Sequence, residues 1–475
     1  MKKLIFTLLL AAMSTMIAVN AKNYDFMVDG IYYNKNGTKA TVTYKSTYDS
    51  YSGDVIIPET VTYSGTTYTV TTIGKSAFSF CSKLTSVTIP HTVTTIGEEA
   101  FIQSSGLESV TIPNSVTVIN DYVFYGCKKL PSVVIPESVT SIGECAFSNC
   151  NSLTSVVLPS SVTTIKSDAF AICGQIDIHI TDLKAWCAIF FENDFSNPLI
   201  NEGHLFLNGE EIIDLVIPAS VTSIGQYAFT GYHDLASVTI PNSVNTIGVY
   251  AFEDCSGLTD VNISDLKTWC NISFGNDRSN PLYYASHLYL NGDAINDLII
   301  PETLTTIGEY AFSYFRGLTS VSIPNSVTRI GYNAFLCCTR LTNISIGNSV
   351  SSIGNYALST YSKLASVLCY GVVPPSITRY SFMADAYNAT LYVPFEAQEK
   401  YMMHEIWGKF NHIVPFIGAG PGDVDGDGEL GITDVTTLID QLLNGNELPA
   451  YADVDGDGIV GITDVTALID LLLNQ

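Results

Sequence analysis

Apolar residues recur along this chain with a period of 23 residues. The clearest marker is a phenylalanine, replaced once by leucine, that holds the same place in each unit. Its positions are Phe78, Phe101, Phe124, Phe147, Phe170, Phe229, Phe252, Phe312, Phe335 and Leu358. A unit of this length cannot bury its own apolar face, whereas stacked units share one continuous core. The period therefore predicts a solenoid.

Each unit opens with an alternating segment, such as Leu84-Thr-Ser-Val-Thr-Ile-Pro90. The period of two predicts a short strand in which Val87 and Ile89 face the core and the residues beside them face outward. Proline ends the strand because it has no N–H to donate to the ladder. A second apolar pair leads to Ile96-Gly97, where we expect glycine to permit a backbone turn that a Cβ would hinder.

Two longer units, near residues 182–217 and 265–300, interrupt the rhythm and match each other at a spacing of 83 residues. His204 and His287 are equivalent in them, as are Trp186-Cys187 and Trp269-Cys270. A residue type repeated in both units is most simply a packing residue, because catalysis needs convergent partners that neither unit supplies. No lipase, zinc-protease, phosphate-binding-loop or C-x-x-C motif is present in the sequence. We therefore predict no catalytic residues.

The cysteines follow the same rhythm. Six of them lie three residues after the marker position, namely Cys81, Cys127, Cys150, Cys173, Cys255 and Cys338. The total of eleven is odd, whereas a disulfide framework favours an even number. We predict that these thiols are buried and reduced, and disulfides between neighbouring units remain an open alternative.

The recurring motifs L-x-S-V-x-I-P, S-V-x-x-I-G and A-F-x-x-C resemble those of BspA-like leucine-rich repeat proteins of bacterial surfaces. The resemblance implies a mainly β solenoid, a right-handed leucine-rich repeat array, over residues 73–370. Residues 22–72 and 371–417 are apolar but aperiodic, so we assign them as the caps that an array needs at its ends. The resemblance also implies binding of extracellular proteins, including host matrix, in bacterial attachment.

The first 21 residues predict export. Two lysines precede an apolar run that ends near a small residue, Ala21, which is the pattern of a signal peptide. No other run is long and apolar enough to predict a membrane span, so we expect a secreted or cell-surface protein. The 46 acidic residues exceed the 21 basic ones, and this charge argues against binding of nucleic acid.

Residues 422–475 contain 12 acidic residues and neither lysine nor arginine. The acids fall into two copies of one loop, 30 residues apart: Asp423-Val-Asp425-Gly-Asp427-Gly-Glu429-Leu-Gly-Ile-Thr-Asp434 and Asp453-Val-Asp455-Gly-Asp457-Gly-Ile459-Val-Gly-Ile-Thr-Asp464. This spacing predicts two Ca²⁺ ions, each held by the carboxylates at loop positions 1, 3, 5 and 12 and by the main-chain carbonyl of position 7, Glu429 or Ile459. An apolar helical pattern follows each loop, through Val435, Leu438, Ile439, Leu442, Leu443 and their copies.

Paired loop–helix units with Asp at position 12 and no entering helix resemble a type I dockerin, here over residues 418–475. The resemblance implies a small α-helical calcium-binding domain that binds a cohesin domain of a scaffold protein. Its partner-binding residues would be Ile432, Thr433, Ile462 and Thr463, and their identity in the two halves would permit two binding orientations. Position 9 is glycine rather than the family's usual polar residue, which removes one ligand. The alternative to cohesin binding is that the calcium loops only stabilise the C-terminus.

Three functions are compatible with these features. The first is a non-catalytic, adhesin-like interaction protein attached through the dockerin-like domain, and we favour it. The second is a non-catalytic carbohydrate-binding component of a polysaccharide-degrading assembly, and the third is a hydrolase whose site has no recognisable motif. Sugar binding needs exposed aromatic residues. The candidates are tyrosines two positions before the marker residue. They either line a surface or pack between units, and we favour packing. They are Tyr122, Tyr227, Tyr250, Tyr310 and Tyr356.

Overall fold

The computed structural model describes residues 23–416, 422–425, 430–444, 452–455 and 459–473. The predicted signal peptide lies outside this part of the chain. Two compact units are present: the first runs to Ile212 and includes Tyr227–Tyr232, and the second comprises Ile213–Gln226 and His233 onward.

The first unit begins with strands that alternate between buried and exposed residues. They are β1 (Phe26–Val28), β2 (Ile31–Asn36), β3 (Lys39–Thr43), β4 (Gly53–Ile56), β5 (Thr60–Tyr63) and β6 (Thr66–Ile73). Strands β1, β2 and β3 form an antiparallel meander, β3 pairs in parallel with β6, and β5 pairs with β6 in the opposite direction. This sheet is the one that adjoins the first repeat.

In the repeats, a strand of three to five residues is followed by a strand of two. The remaining elements of the first unit are β7 (Leu84–Thr88), β8 (Thr95–Ile96), β9 (Ser109–Thr111), β10 (Val118–Ile119), β11 (Ser132–Val134), β12 (Ser141–Ile142), β13 (Ser155–Val157), β14 (Thr164–Ile165), β15 (Asp177–Ile180), helix α1 (Leu183–Cys187), β16 (Phe190–Phe191), β17 (His204–Leu207) and β18 (Glu210–Glu211). Equivalent strands pair in parallel at the sequence period, as Val133 does with Val156. The N-terminal strands continue these ladders, because β6 pairs with β8 and β4 with β7.

The second unit repeats the arrangement. Its elements are β19 (Asp214–Val216), β20 (Ser223–Ile224), β21 (Ser237–Thr239), β22 (Thr246–Ile247), β23 (Asp260–Ile263), α2 (Leu266–Cys270), β24 (Ser273–Phe274), β25 (His287–Leu290), β26 (Asp293–Ala294), β27 (Asp297–Ile299), β28 (Thr306–Ile307), β29 (Ser320–Ile323), β30 (Arg329–Ile330), β31 (Asn343–Ile346), β32 (Ser352–Ile353), β33 (Ser366–Cys369), β34 (Thr390–Pro394), α3 (Gln398–Met403), β35 (His412–Phe416), α4 (Ile432–Asn444) and α5 (Ile462–Leu473). Strands β34 and β35 extend the β33 ladder in parallel. The segment after the last repeat therefore adds two further strands to the sheet.

The marker phenylalanines form a buried stack, which confirms the solenoid prediction. Neighbouring rings from Phe78 to Phe170 lie 5.0 to 5.4 Å apart, within 13° of parallel. In the second unit, Phe312 and Phe335 stack at 5.4 Å. Each of these rings is fully shielded from solvent, so each of these repeats contributes one aromatic layer to the core of its unit.

Glycine is needed at position 97 for a different reason from the turn that we predicted. Its backbone does not adopt a left-handed conformation, and a Cβ there would lie 2.6 Å from the backbone nitrogen of Lys75 in the preceding coil. Glycine is therefore needed because two backbones approach closely. In the regular repeats, left-handed residues lie two positions before and two after the marker, and most of them are not glycine. Around Phe312, for example, they are Tyr310 and Tyr314, with φ of 62° and 63°.

All eleven cysteines are free thiols, and nine are buried. Of the six in the column that follows the marker, five are buried as predicted and Cys173 is half-buried. The structure adds a second role. The Sγ of Cys127, Cys150, Cys173 and Cys338 each donates to the carbonyl of the marker phenylalanine of the preceding coil, at 3.1 to 3.3 Å. Burial raises the pKa of the Cys173 thiol to about 12, so this thiol stays protonated and unreactive at neutral pH.

Ser104 occupies the cysteine position of its own coil and donates to the Phe78 carbonyl in the same way. A hydroxyl therefore replaces the thiol in one coil of this array. We expect Cys150→Ala to lower the free energy of unfolding by about 1 to 2 kcal/mol, because the bond to Phe124 and the packing of the sulfur are both lost. Cys150→Ser should lose less than half of that, as measured by urea denaturation. Equal losses in the two variants would contradict a donor role.

Equivalent residues of the two long units make equivalent hydrogen bonds. Trp186 donates its ring N–H to the Ala228 carbonyl at 3.0 Å, and Trp269 donates to the Ala311 carbonyl at 2.8 Å. His204 and His287 lie 3.0 and 2.9 Å from the carboxylates of Asp177 and Asp260. These contacts join successive coils, in keeping with the packing role predicted for the pairs.

Candidate calcium and docking site

The segment after the repeats folds as two similar halves, each with a loop followed by a helix. Their apolar residues meet in one small core, which consists of Val424, Val435, Leu438, Ala452, Val465 and Leu468. Helices α4 and α5 each contribute a buried pair at positions i and i+3, which lie on one face of a helix. The core therefore holds the two loops in equivalent settings.

The first loop brings three of the predicted ligands together. Carboxylate oxygens of Asp423, Asp425 and Asp434 lie within 4.8 Å of one another, and Asp423 and Asp434 are buried. The Asp434 carboxylate accepts hydrogen bonds from the backbone N–H of Asp425 at 3.1 Å and of Gly431 at 2.7 Å. The position-12 side chain is thus fixed by the backbone at both ends of its loop.

The second loop repeats this geometry. Asp453, Asp455 and Asp464 form an equivalent cluster within 4.8 Å. The Asp464 carboxylate accepts from the backbone N–H of Val454 at 2.6 Å, of Asp455 at 3.1 Å and of Gly461 at 2.7 Å. Gly431 and Gly461 occupy position 9, where the sequence suggested only a missing ligand, and their N–H groups orient the carboxylate at position 12.

The donor set fits a hard divalent cation. Each cluster offers only carboxylate oxygens, the ligand type that Ca²⁺ prefers. Buried carboxylates are costly without a positive partner, and residues 422–475 contain no lysine or arginine. Three of the predicted ligands, Asp427, Glu429 and Asp457, lie outside the described residues. Ile459 is described, with an exposed side chain, consistent with a role for its main chain only.

The predicted partner-binding residues lie on the surface at the starts of the two helices. The side chains of Ile432 and Ile462 are 71% and 74% exposed, and Thr433 and Thr463 are exposed as well. The sequence pattern did not distinguish buried from exposed apolar residues of these helices. In the structure, Ile439 and Leu443 of α4 are exposed, as are Ile469 and Leu473 of α5.

These exposed apolar residues form one stripe on each helix. Ile432, Ile439 and Leu443 follow the spacing i, i+7 and i+11, which places them on one face. Ile462, Ile469 and Leu473 are their equivalents on α5. We call these sets the α4 stripe and the α5 stripe. Exposed apolar residues grouped in this way are typical of an interaction surface.

One residue of the β34 strand contacts the second loop. The Tyr392 hydroxyl lies 3.3 Å from the Asp453 carbonyl, to which it donates. Burial, together with the nearby carboxylates of Asp453, Asp464 and Asp455, raises the pKa of this phenol. The contact joins residues 61 apart in sequence, and the aperiodic pattern around Tyr392 gave no signal for it.

Within the described part of the chain, none of the helices has the length and apolar character needed to cross a bilayer.

Comparison with known proteins gives two family matches. The model of the BspA type leucine rich repeat region matches residues 58–183, 201–280 and 284–390. The model of the dockerin type I domain matches residues 421–473. No curated protein matches the chain.

Solved bacterial structures are similar to this chain. A leucine-rich repeat protein from Bacteroides ovatus is 29% identical, with 78% of this chain and 100% of that chain covered and a TM-score of 0.47. A leucine rich cell surface protein from Faecalibacterium prausnitzii is 27% identical over 69% of this chain and 95% of its own, with a TM-score of 0.32. From the family matches, the chain belongs to the BspA-type leucine-rich repeat family and carries a type I dockerin domain after its repeats.

Proposed function

We propose that this chain is an exported, non-catalytic interaction protein whose repeats bind an extracellular protein and whose dockerin domain attaches it to a cohesin-bearing scaffold. Both matched families are typically non-catalytic. The observation that carries the attachment is the duplication of the site: two equivalent carboxylate clusters, each followed by a helix with an exposed apolar stripe. The proposed boundaries are residues 22–72 and 371–417 for the caps, 73–370 for the repeats and 418–475 for the dockerin domain.

In this proposal, two calcium ions hold the docking surface in shape. Asp423, Asp425 and Asp434 bind one ion, together with Asp427 and the main-chain carbonyl of Glu429. Asp453, Asp455 and Asp464 bind the other, together with Asp457 and the carbonyl of Ile459. The ion offsets the repulsion between neighbouring carboxylates, and the loop it closes leads directly into α4 or α5. Calcium is thereby linked to the placement of both stripes.

The two halves present the same residues to a partner. Thr433 lies beside Ile432, the first residue of the α4 stripe, and Thr463 lies in the same way beside Ile462 of the α5 stripe. Neither stripe is covered by the described part of the chain, since its first and last residues are between 71% and 80% exposed. A cohesin domain therefore has two equivalent ways to bind, related by exchange of the halves.

This proposal predicts a specific pattern of affinities. Thr433→Arg alone, or Thr463→Arg alone, should weaken binding to an immobilised cohesin by only about twofold, because one of two equal orientations survives. The double variant should weaken binding by at least about a hundredfold, since a charge then enters both apolar surfaces. Surface plasmon resonance in calcium measures all three, and each single variant is the control for the other.

Calcium titration calorimetry on the double variant checks that the domain remains folded and loaded. If one single variant alone abolishes binding, the halves are not equivalent and the two-orientation model is wrong. If the double variant binds like the unmodified chain, the surface is elsewhere. If the unmodified chain binds calcium but no cohesin, the alternative holds, in which the calcium loops only stabilise this end of the chain.

A further inference from the structure

One stretch, from the last repeats into the C-terminal cap, has a charge opposite to that of the whole chain. Residues 310–384 contain no aspartate or glutamate, although the chain has 46 acidic residues and a net charge of -25. The same stretch carries five basic residues, Arg316, Arg329, Arg340, Lys363 and Arg379. Charges farther away than about 8 to 10 Å are largely screened at physiological salt. A ligand in contact with these coils therefore meets more positive than negative charge, with Glu309 and Asp277 near the Tyr310 end as the adjoining acids.

Four tyrosines run across these coils as a continuous row, which we call the tyrosine row. They are Tyr310, Tyr332, Tyr356 and Tyr380, and the successive ring centroids are 5.5, 6.2 and 5.5 Å apart. Tyr356 and Tyr380 are 36% and 40% exposed. The rings contact one another, as packing between coils requires, but the row also faces solvent.

The fold of the coil does not require an aromatic ring at this place. Tyr310 and Tyr356 lie two positions before the marker residue and have φ of 62° and 57°. This left-handed conformation is unfavourable for a bulky residue and easier for asparagine or glycine. Asn333 occupies the same coil position with φ of 56°. Tyr122, Tyr227 and Tyr250 share this conformation, so what distinguishes Tyr310 and Tyr356 is the row they form with Tyr332 in a stretch without acidic residues.

Arginines are held beside these rings. The Arg379 guanidinium lies over the Tyr380 ring, 4.6 Å from its centroid. Arg329 is anchored 3.4 Å from the carboxylate of Glu309, the residue before Tyr310. Tyrosine and arginine are the residues most enriched at the centres of protein interfaces, and side chains that are already ordered lose less entropy when a partner binds.

We propose that the tyrosine row, with Arg329 and Arg379, binds an extended acidic segment of a protein partner. An extended chain rises by about 6.6 to 6.8 Å every two residues, close to the 5.5 and 6.2 Å steps of the row, so alternate side chains of the segment meet successive rings. Tyr310, Tyr332 and Tyr356 meet edge to face, at 78° and 86°. They do not form the flat platform on which sugar rings stack, and this favours a peptide over a glycan.

The inference deepens the proposed function, because it assigns the ligand surface of the repeats and the chemistry of the partner. A phage-displayed library of random 12-residue peptides, selected on the immobilised full chain, tests it. We expect the selected peptides to be enriched in Asp and Glu relative to the input library. Their binding, measured by fluorescence anisotropy, should weaken at least tenfold between 50 and 500 mM salt.

Variants then locate the site. Tyr310→Asn with Tyr356→Asn should weaken the selected peptides at least tenfold while leaving the melting temperature unchanged or higher, because asparagine suits the left-handed backbone. Arg379→Gln should weaken them about fivefold and reduce the salt dependence. The matched controls are Tyr122→Asn, at the same coil position in the first unit with φ of 60°, and Lys129→Gln, an exposed lysine of that unit. Neither control should change the affinity.

Other outcomes overturn the inference. They are the selection of no peptide, the selection of neutral or basic peptides, and acidic peptides that bind the double variant as tightly as the unmodified chain. Preferential binding of heparin, with no peptide bound, would assign the surface to an anionic glycan instead. Attachment is scored separately: if cohesin binding persists while peptide binding is unaffected by the variants, this inference fails and the attachment role stands.

Discussion

Removal of calcium should unfold residues 422–473 and leave the repeats folded. Each cluster holds three carboxylates with oxygens within 4.8 Å. At this separation, two full negative charges repel by roughly 3 kcal/mol at an effective dielectric constant of about 20. A domain of this size has a core worth only about 3 to 5 kcal/mol. Without the cation, the repulsion within two clusters exceeds what that core supplies, so folding and metal binding are coupled.

Hydrogen–deuterium exchange, with and without a chelator, measures this directly. Amides of α4 and α5 should lose their protection, while those of the repeat strands keep it. Asp434→Asn should weaken the first site and leave the second, whereas Asp440→Asn, an exposed acid outside both clusters, should have no effect. Protection of α4 and α5 that survives chelation would show that the domain does not depend on calcium for its fold.

Replacement of one marker phenylalanine should have the largest effect on the repeats. Phe124 is fully buried and stacks at 5.3 Å on both Phe101 and Phe147. We expect Phe124→Ala to lower the free energy of unfolding by about 3 to 5 kcal/mol, because it opens a cavity between two layers of a continuous stack. Since each coil contacts only its neighbours, protection should fall first in the coils of Phe101 and Phe147.

The array supplies a control for this change. Leu358 fills the marker position of its own coil and is fully buried, so Phe124→Leu should cost less than half as much as the alanine variant. Urea unfolding followed by circular dichroism gives the free energies, and hydrogen exchange gives the location. A loss below about 1 kcal/mol for Phe124→Ala would show that the stacked rings do not hold the coils together.

The repeat fold could be predicted because it depends on periodic apolar residues. Val87, Ile89 and Phe101 lie where the pattern places them, and all three are buried. Backbone details carried no such signal. The need for Gly97 comes from the approach of the preceding coil rather than from a turn, and the left-handed conformation falls on residues as different as Glu99, Tyr122 and Cys145.

The candidate site shows a similar division. The spacing of the acidic residues predicted the clusters, since local backbone-to-carboxylate hydrogen bonds join position 3 to position 12 in each loop, Asp425 to Asp434 and Asp455 to Asp464. The apolar pattern of each helix indicated one wide apolar face, without showing which of its residues are buried. Only the packing of α4 against α5 separates the buried Leu438 from the exposed Leu443. The contact of Tyr392 with Asp453 joins residues far apart in sequence, so no local sequence pattern predicts it.

Calcium-dependent retention of the full chain on cohesin domains from the same organism is the measurement that decides the attachment role. We expect binding in calcium, release on addition of chelator and recovery when calcium is restored. A chain in which Asp434 and Asp464 are both changed to alanine should not bind. A chain that binds about two calcium ions by calorimetry and yet binds none of these cohesins would contradict the attachment role.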